Sequence, residues 1–114
     1  MKPLRKLRAT VLLFALSLAV IPSYADALSD AKSGAAALDA GDYPKAVTYF
    51  TSAIGNGLAH DDLELAYVMR AKAYLGERRS DLALFDLKNA EYLVPNDRDI
   101  TILRQEATGS PAGP

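Results

Sequence analysis

Chemistry in this chain would have to begin with its one histidine. His60 is followed by Asp61 and Asp62, with Glu64 one helical step on. An imidazole beside three carboxylates is a set that can bind a metal or exchange protons, provided the groups converge. Here they are nearly consecutive at a loop–helix start. They lack the alternating ligands and central glycine of a calcium loop, and no second histidine supplies zinc spacing. They read as an exposed loop histidine followed by capping acids. Ser52 with His60 and a nearby Asp has the composition of a triad, but no sharp turn presents the serine as a nucleophile. Gly55-Asn56-Gly57 follows a helix rather than a strand and has no third Gly or Lys-Ser/Thr, so it is a helix stop and not a phosphate loop. Tyr43, Tyr49, Tyr67, Tyr74 and Tyr92, with Phe50 and Phe85, fall mostly on core-facing helical positions instead of forming stacking platforms. Arg78-Arg79 reads as a solvated turn. The expectation is a protein that catalyses nothing and uses no cofactor or metal.

The elements that would position any site start with an export segment. Lys2, Arg5, Lys6 and Arg8 precede the apolar run Ala9–Ile21, Pro22 ends that run, and Ser23-Tyr24-Ala25 places small residues one and three before a cut. This is the layout of a signal peptide over residues 1–25, cleaved between Ala25 and Asp26. The apolar run is shorter than the roughly 20 residues a membrane span needs. Cleavage leaves 89 of the 114 residues and removes four of the 13 basic residues and none of the 14 acidic ones, for a net charge of −5. An acidic surface repels phosphate backbones, which argues against nucleic acid as a partner. With no cysteine, an exported domain has no disulfide staple and must rely on its apolar core.

Helical spacing dominates from Asp26 onward. Leu28, Ala31, Ala35 and Leu38 share one face of a first helix. Gly41-Asp42 ends it and caps a second, with Pro44 in the first turn and Ala46, Val47, Phe50, Ala53 and Ile54 as its apolar face. Asp61 and Glu64 suggest a capping box for a third helix carrying Leu63, Tyr67, Ala71 and Tyr74. Ser80 suggests the next cap, before Leu84, Leu87, Tyr92 and Leu93, and Asp97 starts a shorter fifth helix through Ala107. The tail, residues 108–114, has nothing large enough to anchor it and is expected to be disordered.

Shifting the chain by 37 residues superposes Leu28 on Leu65, Ala36 on Ala73, Leu38 on Leu75, Ala46 on Ala83 and Ala53 on Ala90, with Phe50 on Leu87 and Gly34 on Ala71. Small residues recur where helices cross closely, and large ones recur where they fill space. From about Ala27 to Asp97 the chain resembles the tetratricopeptide repeat family. Gly34, the Gly41-Asp42-Tyr43 turn, Ala46, Phe50 and Ala53 carry the first repeat (about 27–60). Tyr67, Arg70 through Leu75, Ala83, Ala90 and Pro95-Asn96-Asp97 carry the second (about 64–97). The run Ala53–Leu75 also looks like exported alphaproteobacterial members. The period is three residues longer than the family's, Asp30 stands where the family has a large aromatic, and Arg78 and Ser80 replace the Gly and aromatic of the second turn.

The resemblance implies an all-α, right-handed α-solenoid of two helix–turn–helix repeats plus a capping helix over 98–107, within a domain of residues 26–107. It also implies a groove that binds a protein or peptide partner in the periplasm or outside the cell, away from the membrane once the signal is removed. By resemblance the groove would be lined by Leu65, Val68, Met69, Lys72 and Leu75 in the second repeat, and by Leu28, Ala31, Ala35 and Leu38 in the first. The alternative is a structural protein of the envelope that self-associates end to end.

Overall fold

The computed structural model describes residues 23–109, which form five helices. The expected signal segment through Pro22 and the tail from Ser110 lie outside the described residues. Helix α1 spans Tyr24–Asp39, two residues earlier than its apolar pattern suggested, because Ser23 completes a capping box. The Ser23 hydroxyl accepts from the Asp26 N–H at 3.3 Å, and the Asp26 carboxylate accepts from the Ser23 N–H at 3.1 Å. The expected cut between Ala25 and Asp26 therefore falls inside the first turn of this helix.

Helix α2 covers Tyr43–Asn56, with Asp42 accepting from the Lys45 N–H at 3.3 Å and Gly57 closing it in the left-handed region. Helices α3 (His60–Gly76) and α4 (Ser80–Leu93) start differently from expectation. Ala59 and Arg79 occupy the two capping positions, and neither start has a side-chain cap. Asp61, Glu64 and Ser80 are thus already inside their helices, and the charge beside the positive ends of the dipoles comes from Asp61 and Asp62 in α3 and Asp81 in α4. Helix α5 (Arg98–Thr108) is capped by Asp97, which accepts from the N–H groups of Asp99 and Ile100 at 2.8 and 3.2 Å.

The 37-residue shift carries the bounds of α2 onto those of α4, Ser80–Leu93. It also carries the turn. The N–H of Gly41 donates to Leu38 and that of Asp42 to Ala37, and 37 residues later the N–H of Arg78 donates to Leu75 and that of Arg79 to Tyr74. Gly41 has φ 75° and Arg78 has φ 60°. The same left-handed turn is thus made once with a glycine and once against the steric cost that a Cβ brings.

Packing follows the pattern of small and large residues. A Cβ on Gly34 would lie 3.0 Å from three atoms of the Phe50 ring, so α1 and α2 cross where only glycine leaves room. Ala46, Ala53, Ala83 and Ala90 are fully buried. Two apolar clusters result. One holds Ala37, Ala46 and Phe50 together with Ala66 and Ala73 of α3. The other holds Val68 and Ala71 of α3, Leu87 of α4, and Ile100 and Leu103 of α5. Helix α3 contributes to both, which explains why no single apolar face stands out in its sequence.

A polar bridge runs beside these clusters. Arg70 donates to both carboxylate oxygens of Asp86 at 2.7 and 2.8 Å and to the Thr51 hydroxyl at 3.1 Å, so it links α3 to α4 and α2. Its guanidinium lies 5.8 and 5.9 Å from the ring centres of Tyr67 and Tyr74. Asp86 is the one buried charged side chain among the described residues, at 1% exposure. Asp30, where the resemblance would place an aromatic, is not a packing fault: it accepts from Ser52 at 2.7 Å and from Asn56 at 3.2 Å, fastening α1 to the end of α2.

Candidate functional site

A groove of about 250 Å³ opens between α1 and α3. Leu28, Ala31, Lys32 and Ala35 form one wall, Asp62, Leu65 and Met69 the other, and Phe50 and Ala66 lie between. From Leu28 to Ala35 is seven residues, or roughly 10 Å of helix, so the apolar wall is about two turns long. Leu65 is 53% exposed at its rim. Asp62 marks the end nearest the helix N-termini, where its carboxylate accepts a hydrogen bond from the Tyr24 hydroxyl. That bond raises the Tyr24 pKa, because deprotonation would set two anions side by side.

Of the residues expected to line a groove, this site brings together Leu28, Ala31, Ala35, Leu65 and Met69. Val68 departs from the expectation. It is buried within the cluster that includes Ile100 and Leu103 of α5, so the last helix covers it and no partner can reach it. Leu75 packs against the same cluster, and Leu38 packs against the cluster around Phe50. Lys72 is exposed but stands outside the groove, in a smaller recess with Tyr43, Leu75, Gly76, Leu103 and Glu106. The separation follows from helical geometry: Val68 turns toward α5, and Lys72 lies a full turn past the open end of the groove wall.

Two features escaped the reading of spacing. The Arg70–Asp86 pair carried a signal, since Asp86 lies one turn from both Ala83 and Ala90 on the face that α4 buries, and a buried carboxylate requires a cation. The acidic edge carried a weaker one. Burial first, then the charges of Asp97, Asp61 and Asp99, raise the Glu64 pKa; Asp61 and Glu64 stand near the start of α3 and Asp97 and Asp99 at the start of α5. The His60 ring lies 3.2 Å from the Asp61 carboxylate, and among the described residues no group of three or more His, Cys, Asp or Glu is arranged to hold a metal ion. Compared with known proteins, the chain matches no family profile, no curated protein and no solved structure. No helix among the described residues is long and apolar enough to cross a membrane.

A second cleft, of about 330 Å³, lies between α1 and α2 beside Ser33, Ala36, Ala40, Lys45 and Tyr49. Thirty-seven residues on, Ser33 and Tyr49 correspond to Arg70 and Asp86. The cleft is open where the second hairpin holds its ion pair.

Proposed function

We propose that this chain is an exported protein–protein interaction module of the tetratricopeptide type, a short right-handed α-solenoid that holds a peptide of a partner protein in the cell envelope. The observation that carries the reading is the apolar groove between α1 and α3, where exposed Leu65 and the Leu28–Ala35 wall leave aliphatic surface uncovered. The role is binding without chemistry. Export rests on the basic head and short apolar run, and a mature chain beginning at Asp26, read by mass spectrometry of periplasmic protein, is the expected product.

The groove is tested by placing a photo-crosslinking residue at Met69 and, separately, at exposed Lys88. A species captured from envelope extract at Met69, absent at Lys88 and lost on Leu65→Arg with an unchanged melt supports the reading. Equal capture at both positions refutes it. A second reading, self-association, is favoured by Phe85 and Tyr92, which are 63% and 87% exposed and seven residues apart on the outward side of α4. Under it, sedimentation would show concentration-dependent mass that Phe85→Ser abolishes.

A further inference from the structure

The partner segment itself has a chemistry that can be read from the array, if the groove reading is right. Leu28, Leu65 and Ile102 stand 37 residues apart, each in the second turn of its helix, on α1, α3 and α5. Leu28 and Leu65 share the groove, and Leu65 and Ile102 are 53% and 48% exposed. Helix α3 packs directly against both α1 and α5. Three aliphatic rungs therefore stand at equivalent register on three helices, the middle one in contact with both others, and packed helices are typically 8–10 Å or so apart.

An extended chain matches that step in one regular way. A polyproline II helix has three residues per turn, so every third side chain returns to the same face after about 9.3 Å. A β-strand alternates faces with period two and turns every third residue away. The rungs also lie within about a turn of a negative edge. Asp62 lines the groove, Asp61 and Glu64 stand near the start of α3, and Asp97 and Asp99 stand at the start of α5, a helix in contact with α3. Against these five carboxylates stand Arg98 and two helix N-termini worth roughly half a charge each. The balance is negative by about three. Lys32 is the one cation in the groove wall, a turn further from this edge than Leu28.

We infer that the groove, continued by exposed Ile102 on α5, takes an extended, cationic segment of polyproline II form, with apolar side chains at every third position seated on Leu28, Leu65 and Ile102 and Lys or Arg between them along the acidic edge. The test uses the full chain and fluorescein-labelled peptides read by anisotropy at about 50 and 200 mM salt, since charge contacts between exposed groups weaken over that range. Three Leu-Lys-Pro triplets should bind at least tenfold tighter than three Leu-Glu-Pro triplets, and the advantage should shrink with salt. Leu65→Ser and Ile102→Ser should each weaken binding fivefold or more. Asp62→Asn combined with Asp99→Asn should weaken it and flatten the salt dependence. Equal binding of the acidic peptide overturns the charge assignment while leaving the groove standing. Tighter binding of a helical Leu-Lys peptide with leucines seven apart overturns the extended form. Failure of every peptide, together with no selective crosslink at Met69, removes the groove reading as well.

Discussion

Replacing Arg70 with Met tests the polar bridge directly. Its side chain is 14% exposed and that of Asp86 is 1% exposed, so the substitution strands a carboxylate where water cannot reach it. Breaking a buried pair from one side costs about 3–5 kcal/mol. The described part of the chain, residues 23–109, has a total stability on the order of 4–13 kcal/mol at typical values per residue. The substitution thus removes a large fraction of it, and Tm should fall by roughly 12–40 °C. Urea unfolding followed by circular dichroism measures the loss. A further arm fixes its cause. The double variant Arg70→Met with Asp86→Leu should recover most of the stability, since apolar replacement of a buried pair is often neutral or better. A loss below about 1 kcal/mol, or a double variant as unstable as the single one, would refute the reasoning.

Other expectations are as direct. Arg78→Gly should stabilise by about 0.5–1 kcal/mol, because relief of a left-handed arginine outweighs the added freedom of the unfolded chain; the same thermal melt should show Gly41→Ala destabilised. Gly34→Ala sets a methyl 3.0 Å from the Phe50 ring and should cost about 1–3 kcal/mol in urea unfolding, as should Ala83→Leu at a fully buried crossing. Lys88→Ala should change stability by less than about 0.5 kcal/mol. The Glu64 pKa is raised in the folded state, so its protonated form favours folding below the unfolded pKa, and that benefit is lost as pH rises through the folded value. Glu64→Gln should therefore raise Tm slightly at pH 7 and not at pH 4.

The sequence carried the helices well because their signals are local. Gly41, Pro44, Gly57 and Asp97 act on their own turns, and the alanines at 46, 53, 83 and 90 repeat at a fixed step, so boundaries and core could be read from types and spacing. The starts of α3 and α5 show the limit within that success. Both have acids in the first turn, yet Asp97 caps while Asp61 does not, and which residue sits at the boundary depends on how the preceding loop packs. Part of the groove lining came through the family resemblance instead, which puts Leu28, Ala31, Ala35, Leu65 and Met69 on the inner side of their helices. Val68 and Lys72 were misplaced because their surroundings are set by α5, a helix 30 residues downstream whose docking angle no local pattern encodes. The Arg70–Asp86 pair required the same long-range knowledge.

Helix α3 has a consequence for how the molecule breathes. Ala66 and Ala73 belong to one apolar cluster, Val68 and Ala71 to the other, and Arg70 is tied to a helix on each side. Opening either end of the array costs only the cluster at that end, whereas freeing α3 requires both to dissolve at once. Amide protons should therefore exchange slowest in the middle of α3 and progressively faster toward α1 and α5, a gradient centred on one helix instead of a single cooperative plateau. The two outer helices, which carry Leu28 and Ile102, are then the ones most free to shift, so the distance of these side chains from Leu65 is set by the parts of the fold that open most cheaply.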